Sequence, residues 1–344
     1  MKAVIFRRHG GPEVLEYADV PDPSLAPGHV LVRVKACALN HLDHWVRQGI
    51  TAYRILLPHI SGADVAGIVE QVAPDVTTLR AGQAVLLTPG LRCGRCARCR
   101  ADEDTCCPSY GIRGAANDGG YAELTAARAE DVLPLPPGMS MEEAAALPLV
   151  FLTAWHMLVT RARLRAGETV LIHAAGSGVG HAAVQIAKHL GAVVYATVGS
   201  DAKAAKAKIL GADEVINYRQ VSFEERIKAL TEGQGVQVVF EHIGPETWEG
   251  SLKSLARGGR LVTCGATSGP TAPLDLRYVF SRQLSLLGST MGTRRELLEI
   301  ILLFAAKHLR PVVDTVFPLA EAQRAQERML SRDVFGKLVL RPHA

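Results

Sequence analysis

The stretch Glu168–Gly180 reads ETVLIHAAGSGVG, and its reading decides the fold. Thr169–His173 is a short β-branched and apolar run, the composition of a strand buried on both faces of a parallel sheet. Ala174-Ala175-Gly176-Ser177-Gly178-Val179-Gly180 breaks the run, and a helical pattern starts at His181. Strand, glycine turn and helix in that order are the context that makes a glycine motif a dinucleotide site. Gly176 and Gly178 let the backbone turn sharply and approach a pyrophosphate. Gly180 lets the helix pack on the strand, while the first helical turn offers N–H groups and a positive dipole end to phosphate. Gly176, Ser177, Gly178, Val179 and Gly180 are therefore candidate cofactor-binding residues. Ala174 stands at the first glycine of G-x-G-x-x-G, so the surroundings carry part of the argument.

Beyond Ser140 the chain alternates. Helices are expected at Met141–Leu147 and Leu149–Leu158. Strands follow at Thr169–His173, Val193–Val198, Glu214–Ile216, Val236–Glu241, Gly259–Cys264 and Ser285–Gly288, with helices such as Ala202–Leu210 and Phe223–Leu230 between them. This pattern predicts a doubly wound parallel sheet with helices on both faces. Before residue 145 the pattern is different: short strands (Met1–Phe6, Val30–Ala36, Ala66–Val72) cut by proline and glycine, an antiparallel β composition. Helices at Glu296–Lys307 and Ala320–Leu330 and a strand at Lys337–Leu340 close the chain.

With 344 residues, two domains are expected. A hydrophobic share of 48% against 21% charged describes a well-packed globular protein. The net charge of +4, with basic residues scattered except near Arg92–Arg100, does not suggest a nucleic-acid partner. No apolar run is long enough for a bilayer, and the N-terminus lacks a signal peptide's apolar core, so a cytoplasmic protein without a membrane partner is expected.

Five of the seven cysteines crowd together. Cys93-x2-Cys96-x2-Cys99-x7-Cys107 places four thiolates in one lobe, a closed structural zinc site with no vacant position for water. Cys106 is a spare that could replace Cys107. In a reducing compartment such crowding points to metal rather than disulfides.

These features resemble the medium-chain dehydrogenase/reductase family, which holds zinc alcohol dehydrogenases and quinone oxidoreductases. The four-cysteine lobe, PHISGADVAGIV (Pro58–Val69), the AAGSGVG turn and LGADEVINYR (Leu210–Arg219) carry the resemblance over essentially the whole length. It implies a GroES-like, mostly β catalytic domain over residues 1–148, with a zinc lobe at about 90–108. A Rossmann-type domain over 149–289 and a return to the catalytic domain over 290–344 complete it. It also implies a homodimer or homotetramer joined through Ser285–Gly288.

The resemblance also exposes a departure. Where zinc alcohol dehydrogenases carry their catalytic ligands, this chain reads Asn40-His41-Leu42-Asp43, then Gly62-Ala63-Asp64, then Leu149, and the proton-relaying hydroxyl is Leu42. An asparagine, an alanine and a leucine do not make a three-ligand open site. His41, His44, His59, Asp43 and Asp64 leave an unconventional metal site as an alternative. Without it, catalysis rests on positioning a nicotinamide and on donors to a developing enolate. Asn40 is the leading polar contact, and a turn asparagine bonding its own backbone is the plainer reading. Thr153 matches a family position against the nicotinamide. Tyr53 and His41 are candidate proton donors that the sequence does not separate.

An NAD site expects a carboxylate at the end of the second strand. The position falls on Val198, and Ser200, Lys203 and Tyr218 stand where NADPH-using relatives hold the 2′-phosphate, with Cys264 and Gly265 as further cofactor contacts. NADP(H) is expected, while Asp201 keeps NAD(H) possible. The expected function is an NADP(H)-dependent reductase of quinones or α,β-unsaturated carbonyls acting on a small-molecule substrate. Alcohol/aldehyde interconversion with a non-standard or absent catalytic zinc is the alternative, and a non-catalytic nucleotide-binding protein is a third.

Overall fold

A computed structural model describes residues Met1–Pro342. The chain forms two compact units, Val150–Gly292 and a second that joins Met1–Leu149 to the stretch from Thr293 on.

The Val150–Gly292 unit is built on a six-stranded sheet. Its order is Glu214–Asn217, Val193–Val198, Thr169–Ile172, Val236–Glu241, Leu255–Thr263, Ser285–Gly288, with every pair parallel. Counted along the chain this is 3-2-1-4-5-6, the doubly wound order whose switch point lies beside the first strand. Leu171, Val239, Leu261 and Ile227 meet in the core of this unit. Leu255–Thr263 begins earlier than its apolar run suggests, because Leu255 already pairs with Val236 before a bulge. The helix expected at Ala202–Leu210 runs Asp201–Ile209, since Ser200 Oγ accepts from the Lys203 N–H and starts it one residue sooner. The expected helix Leu149–Leu158 is divided into an α-helix Pro148–Trp155 and a π-helical turn His156–Arg161, which closes with a bond from Ala162 N–H to Met157 O.

The other unit carries a seven-stranded sheet. Antiparallel pairs link His29–Ala38, Asp64–Val72, Ala84–Leu87 and Val132–Pro134, and Leu124–Arg128 adds to His29–Ala38. The strand Lys337–Arg341 pairs with the other side of His29–Ala38 through Val339↔Ala38 and Leu340↔Cys37, and takes Val313–Pro318 as its parallel neighbour. Residues from both chain ends thus share one core, including Ile5, Val34, Val65, Tyr121 and Leu338. The helix expected at Glu296–Lys307 runs Arg294–Ala305. Thr293 and Glu296 form a reciprocal cap, Glu296 N–H to Thr293 Oγ1 at 3.2 Å and Thr293 N–H to Glu296 Oε2 at 2.7 Å. Among the described residues no helix is long and apolar enough to cross a membrane.

Candidate active site and cofactor turn

Two of the three positions without a standard zinc ligand, Asn40 and Leu149, bond one carboxylate, that of Asp64, which follows the third, Ala63. Asp64, fully buried at the start of its strand, accepts from Leu149 N–H at 2.8 Å through Oδ1. Its Oδ2 accepts from Asn40 Nδ2 at 2.8 Å and from the Lys337 ammonium at 3.1 Å. Lys337, 2% exposed, also donates to Asn40 Oδ1 at 2.5 Å. Asn40 also heads the helix His41–Gln48 in a capping box with Asp43, and its Nδ2 makes a long 3.5 Å approach to Ala38 O. The side chain is clamped at both ends, and burial of one cation against one anion with polar partners keeps the cluster internally compensated. Asp43, one turn into the helix His41–Gln48, accepts from Asn40 N–H at 2.8 Å and from Tyr121 Oη at 2.9 Å. Burial raises the Asp43 carboxyl to about 6 against these two donors.

The histidines near this cluster have other partners. His41 stacks edge-on against His44 and Trp45, Arg47 bonds His44 Nδ1 at 3.0 Å, and His59 Nε2 meets Gly114 O at 3.0 Å. Tyr53 is half-buried, and burial raises its phenol. In the other unit Thr153 is buried with its Oγ1 3.8 Å from Met291 Sδ.

Among the described residues only Cys93, Cys96, Cys99 and Cys107 bring three or more metal donors together, with their sulfurs all within 4.8 Å of one another. Cys96 Sγ lies 3.5 Å and Cys93 Sγ 3.9 Å from Cys99 Sγ. Tetrahedral thiolates on zinc sit about 3.8 Å apart, so the donor set fits this ion. Cys106 is exposed and outside the group. The lobe is anchored by Asp104, which accepts from Arg92 at 3.3 Å and from Arg294 N–H at 2.8 Å.

The glycine turn opens the helix Gly178–His189, capped by Ser177 Oγ accepting from Gly180 N–H at 2.9 Å. Gly176 precedes that cap, and Gly178 and Val179 are the first two helical residues, whose N–H groups have no place in the helical ladder. A Cβ on Gly180 would come within 2.1 Å of Ala174 O, so only glycine fits. Ala174 is itself left-handed, with φ +46°. At the end of the second strand, Val198 is buried and Gly199 lies under Tyr218, whose hydroxyl is 2.7 Å from where a Gly199 Cβ would project. Ser200 holds the helix cap and Lys203 sits in the first turn of that helix. Asp201 points its carboxylate to Asn217 Nδ2 at 2.8 Å and Gln220 Nε2 at 3.0 Å. Arg219, which the sequence analysis did not single out, brings its Nε within 3.6 Å of the same Gly199 position. The NYR string offered that signal. Cys264 follows the fifth strand with its thiol pushed up to about 12 by burial, and the Gly265 carbonyl accepts from Thr263 Oγ1 at 3.2 Å. Strand ends, a capped glycine turn and the Arg219 guanidinium beside Gly199 fit a dinucleotide.

Residues 26–137 match the alcohol dehydrogenase GroES-like domain, and residues 178–306 match the zinc-binding dehydrogenase family. A quinone oxidoreductase of Pseudomonas aeruginosa is 35% identical over 99% of both chains. The chain belongs to the medium-chain dehydrogenase/reductase family. An alcohol dehydrogenase of Geobacillus stearothermophilus is 34% identical, again over 99% of both chains. A crystal structure of an NAD-dependent alcohol dehydrogenase superposes over the whole of both chains with a TM-score of 0.96 and 46% identity. Membership makes this protein an oxidoreductase, with the GroES-like and Rossmann-type units of the family. Relatives under both names share its full length, so the family alone does not select the substrate.

Proposed function

We propose that this chain is an NADP(H)-dependent reductase of quinones or α,β-unsaturated carbonyls, with one structural zinc and no standard catalytic zinc. The observation that carries the reading is the Asp64 cluster. The three positions for catalytic ligands hold Asn40, Ala63 and Leu149; the Asn40 amide is engaged by the neighbouring Lys337 ammonium and Asp64 carboxylate, which also bond each other, and Ala63 and Leu149 supply no ligand side chain. When bound, the nicotinamide supplies the hydride. This chain's part is to bind and orient. Lys337 and Asp64 fix the Asn40 amide as a polar contact for the substrate oxygen, and the low mobility of such a contact favours charge that develops on that oxygen. Gly178 and Val179 offer their N–H groups to the pyrophosphate, Ser177 and Gly180 shape the turn that presents them, and Thr153, Cys264 and Gly265 are proposed contacts farther along the cofactor.

The NADP(H) preference rests on Val198 in place of a carboxylate, on Asp201 being engaged by Asn217 and Gln220, on Tyr218 and Arg219 beside Gly199, and on Ser200 and Lys203 in the cap and first turn of the helix that follows. The cytoplasmic setting rests on five crowded cysteines that suit metal rather than disulfides. Self-association is proposed through Ser285–Gly288, an edge strand with one unpaired side.

A second reading is favoured by the 46% identical NAD-dependent alcohol dehydrogenase: alcohol/aldehyde interconversion. Zinc stoichiometry of protein purified without added metal, with NADPH and NADH titrations on the same sample, separates them. One zinc and tighter NADPH support the reductase. Two zincs, or tighter NADH with turnover of alcohols, overturn it.

A further inference from the structure

A buried polar chain runs through the Val150–Gly292 unit and ends on the cofactor turn. It starts at Glu241, wholly buried at the end of its strand. Glu241 Oε1 accepts from the N–H groups of Ile243 at 2.6 Å and Gly244 at 3.1 Å. Its Oε2 accepts from Thr247 Oγ1 at 2.8 Å and Ser251 Oγ at 2.7 Å. Ser251 Oγ in turn lies 2.9 Å from His173 Nε2, and His173 Nδ1 lies 3.2 Å from Thr197 Oγ1. Thr197 Oγ1 accepts from Ala174 N–H at 3.0 Å, and the Thr197 carbonyl accepts from Ala175 N–H at 2.9 Å.

The protons in this chain have one arrangement. Ser251 has one hydrogen and gives it to the carboxylate, so it accepts from His173 Nε2–H. Burial, ahead of the opposing pull of Glu241, keeps His173 neutral, with its pKa at about 4. A neutral ring protonated on Nε2 leaves Nδ1 as an acceptor, which the Thr197 hydroxyl satisfies. The Thr197 oxygen is then left as the acceptor for Ala174 N–H. Each donor meets an acceptor, which is the condition for a buried network to rigidify its surroundings. The turn it grips is strained, since Ala174 is left-handed without being glycine. Its carbonyl accepts from Ser177 N–H at 2.8 Å and occupies the space a Gly180 side chain would need.

We propose that Glu241, Ser251, His173 and Thr197 form a positioning chain for the dinucleotide turn, which holds Ala174 left-handed and so sets the backbone of Ser177–Gly180 toward the pyrophosphate. These are positioning residues, and their role rests on the reading of that turn as the cofactor site. The titratable groups facing His173 are Glu241 and His242, while Thr197, Ser251 and the Phe223 ring face it from the neighbouring elements.

The test is NADPH affinity of the full chain, by nucleotide fluorescence, from about pH 5 to 8.5, for wild type and three variants. Thr197→Val orphans the Ala174 N–H and is expected to weaken NADPH roughly 5- to 150-fold. Thr197→Ser restores the oxygen and is expected to bind within about 2-fold of wild type. Ser251→Ala leaves His173 facing the Glu241 carboxylate directly, 3.7 Å away, which favours the imidazolium. Its NADPH affinity relative to wild type is expected to fall as pH drops from about 7 to 5, the ratio cancelling the titration of the 2′-phosphate that both proteins share. A purely structural role would give no such pH step. Thr197→Val at wild-type affinity, or Ser251→Ala with a wild-type pH profile, overturns the chain while leaving the cofactor site standing. Wild-type protein that binds neither NADPH nor NADH overturns the cofactor reading and the chain with it.

Discussion

Lys337 Nζ lies 2.5 Å from Asn40 Oδ1, joining residues 297 positions apart, and both side chains are buried. The bond exists because the strand Lys337–Arg341 pairs with His29–Ala38, which puts the last strand of the fold beside the turn that holds Asn40. Removing the ammonium would leave the Asp64 carboxylate buried with only Asn40 Nδ2 and Leu149 N–H as donors. Lys337→Met is therefore expected to cost about 3–5 kcal/mol in urea unfolding, the penalty for breaking a buried pair from one side. Turnover should fall further than stability alone predicts, because Asn40 loses one of its two anchors. A loss below about 1 kcal/mol would place the pair among weak surface bridges instead.

Asp43 gives a pH test of the same cluster. Its folded-state carboxyl sits at about 6, above the ordinary carboxylate range, chiefly through burial. Between about pH 4 and 6 the folded protein holds a proton there that the unfolded chain has released, so this group's contribution falls as pH rises through that window. Asp43→Asn should remove the slope. Wild-type stability minus that of Asp43→Asn, followed by denaturant titration, is expected to decline over the window by on the order of 2 kcal/mol. A flat or rising difference would show Asp43 ionised at low pH.

The zinc lobe makes a sharper distinction between two adjacent cysteines. Cys107 is buried with Cys93, Cys96 and Cys99, and Cys106 is exposed outside the group. Cys107→Ser is expected to abolish stoichiometric zinc and lower the melting temperature, and Cys106→Ser to leave zinc content unchanged. Elemental analysis of the two variants reads this directly. Zinc lost from Cys106→Ser alone would exchange the ligands.

What the sequence made legible was local. Thr169–Gly180 carries its strand, turn and helix in one continuous string, and four thiols spaced two and seven residues apart need no tertiary information to suggest an ion. Lys337 reads only as the first residue of KLVL, and nothing in that string says its head group is buried against Asp64. Glu241, Ser251, His173 and Thr197 are likewise spread over two strands, a helix and the residue that follows a third strand. A polar residue's partner is set by strand order, and strand order emerges only when distant runs pair. Ala174 lies between these cases: its place in the motif was plain, but its left-handed backbone depends on Thr197 two dozen residues away.

The adenosine end of the site gives the last test, and it uses a residue that the structure adds. Arg219 and Tyr218 crowd the Gly199 position, and Lys203 lies in the helical turn that Ser200 caps. A 2′-phosphate there would bring its charge against the two cations, each charge-assisted contact being worth about 1.5–3 kcal/mol. Lys203→Ala and Arg219→Ala are each expected to raise the KM for NADPH roughly 10- to 100-fold while leaving that for NADH within about 2-fold, because NADH lacks the group they hold. The double variant should lose NADPH preference altogether. Raised salt should mimic the Arg219 variant in part, since Arg219 is exposed, and the half-buried Lys203 less. Equal losses for the two nucleotides would mean that Lys203 and Arg219 support the strand end rather than read a phosphate.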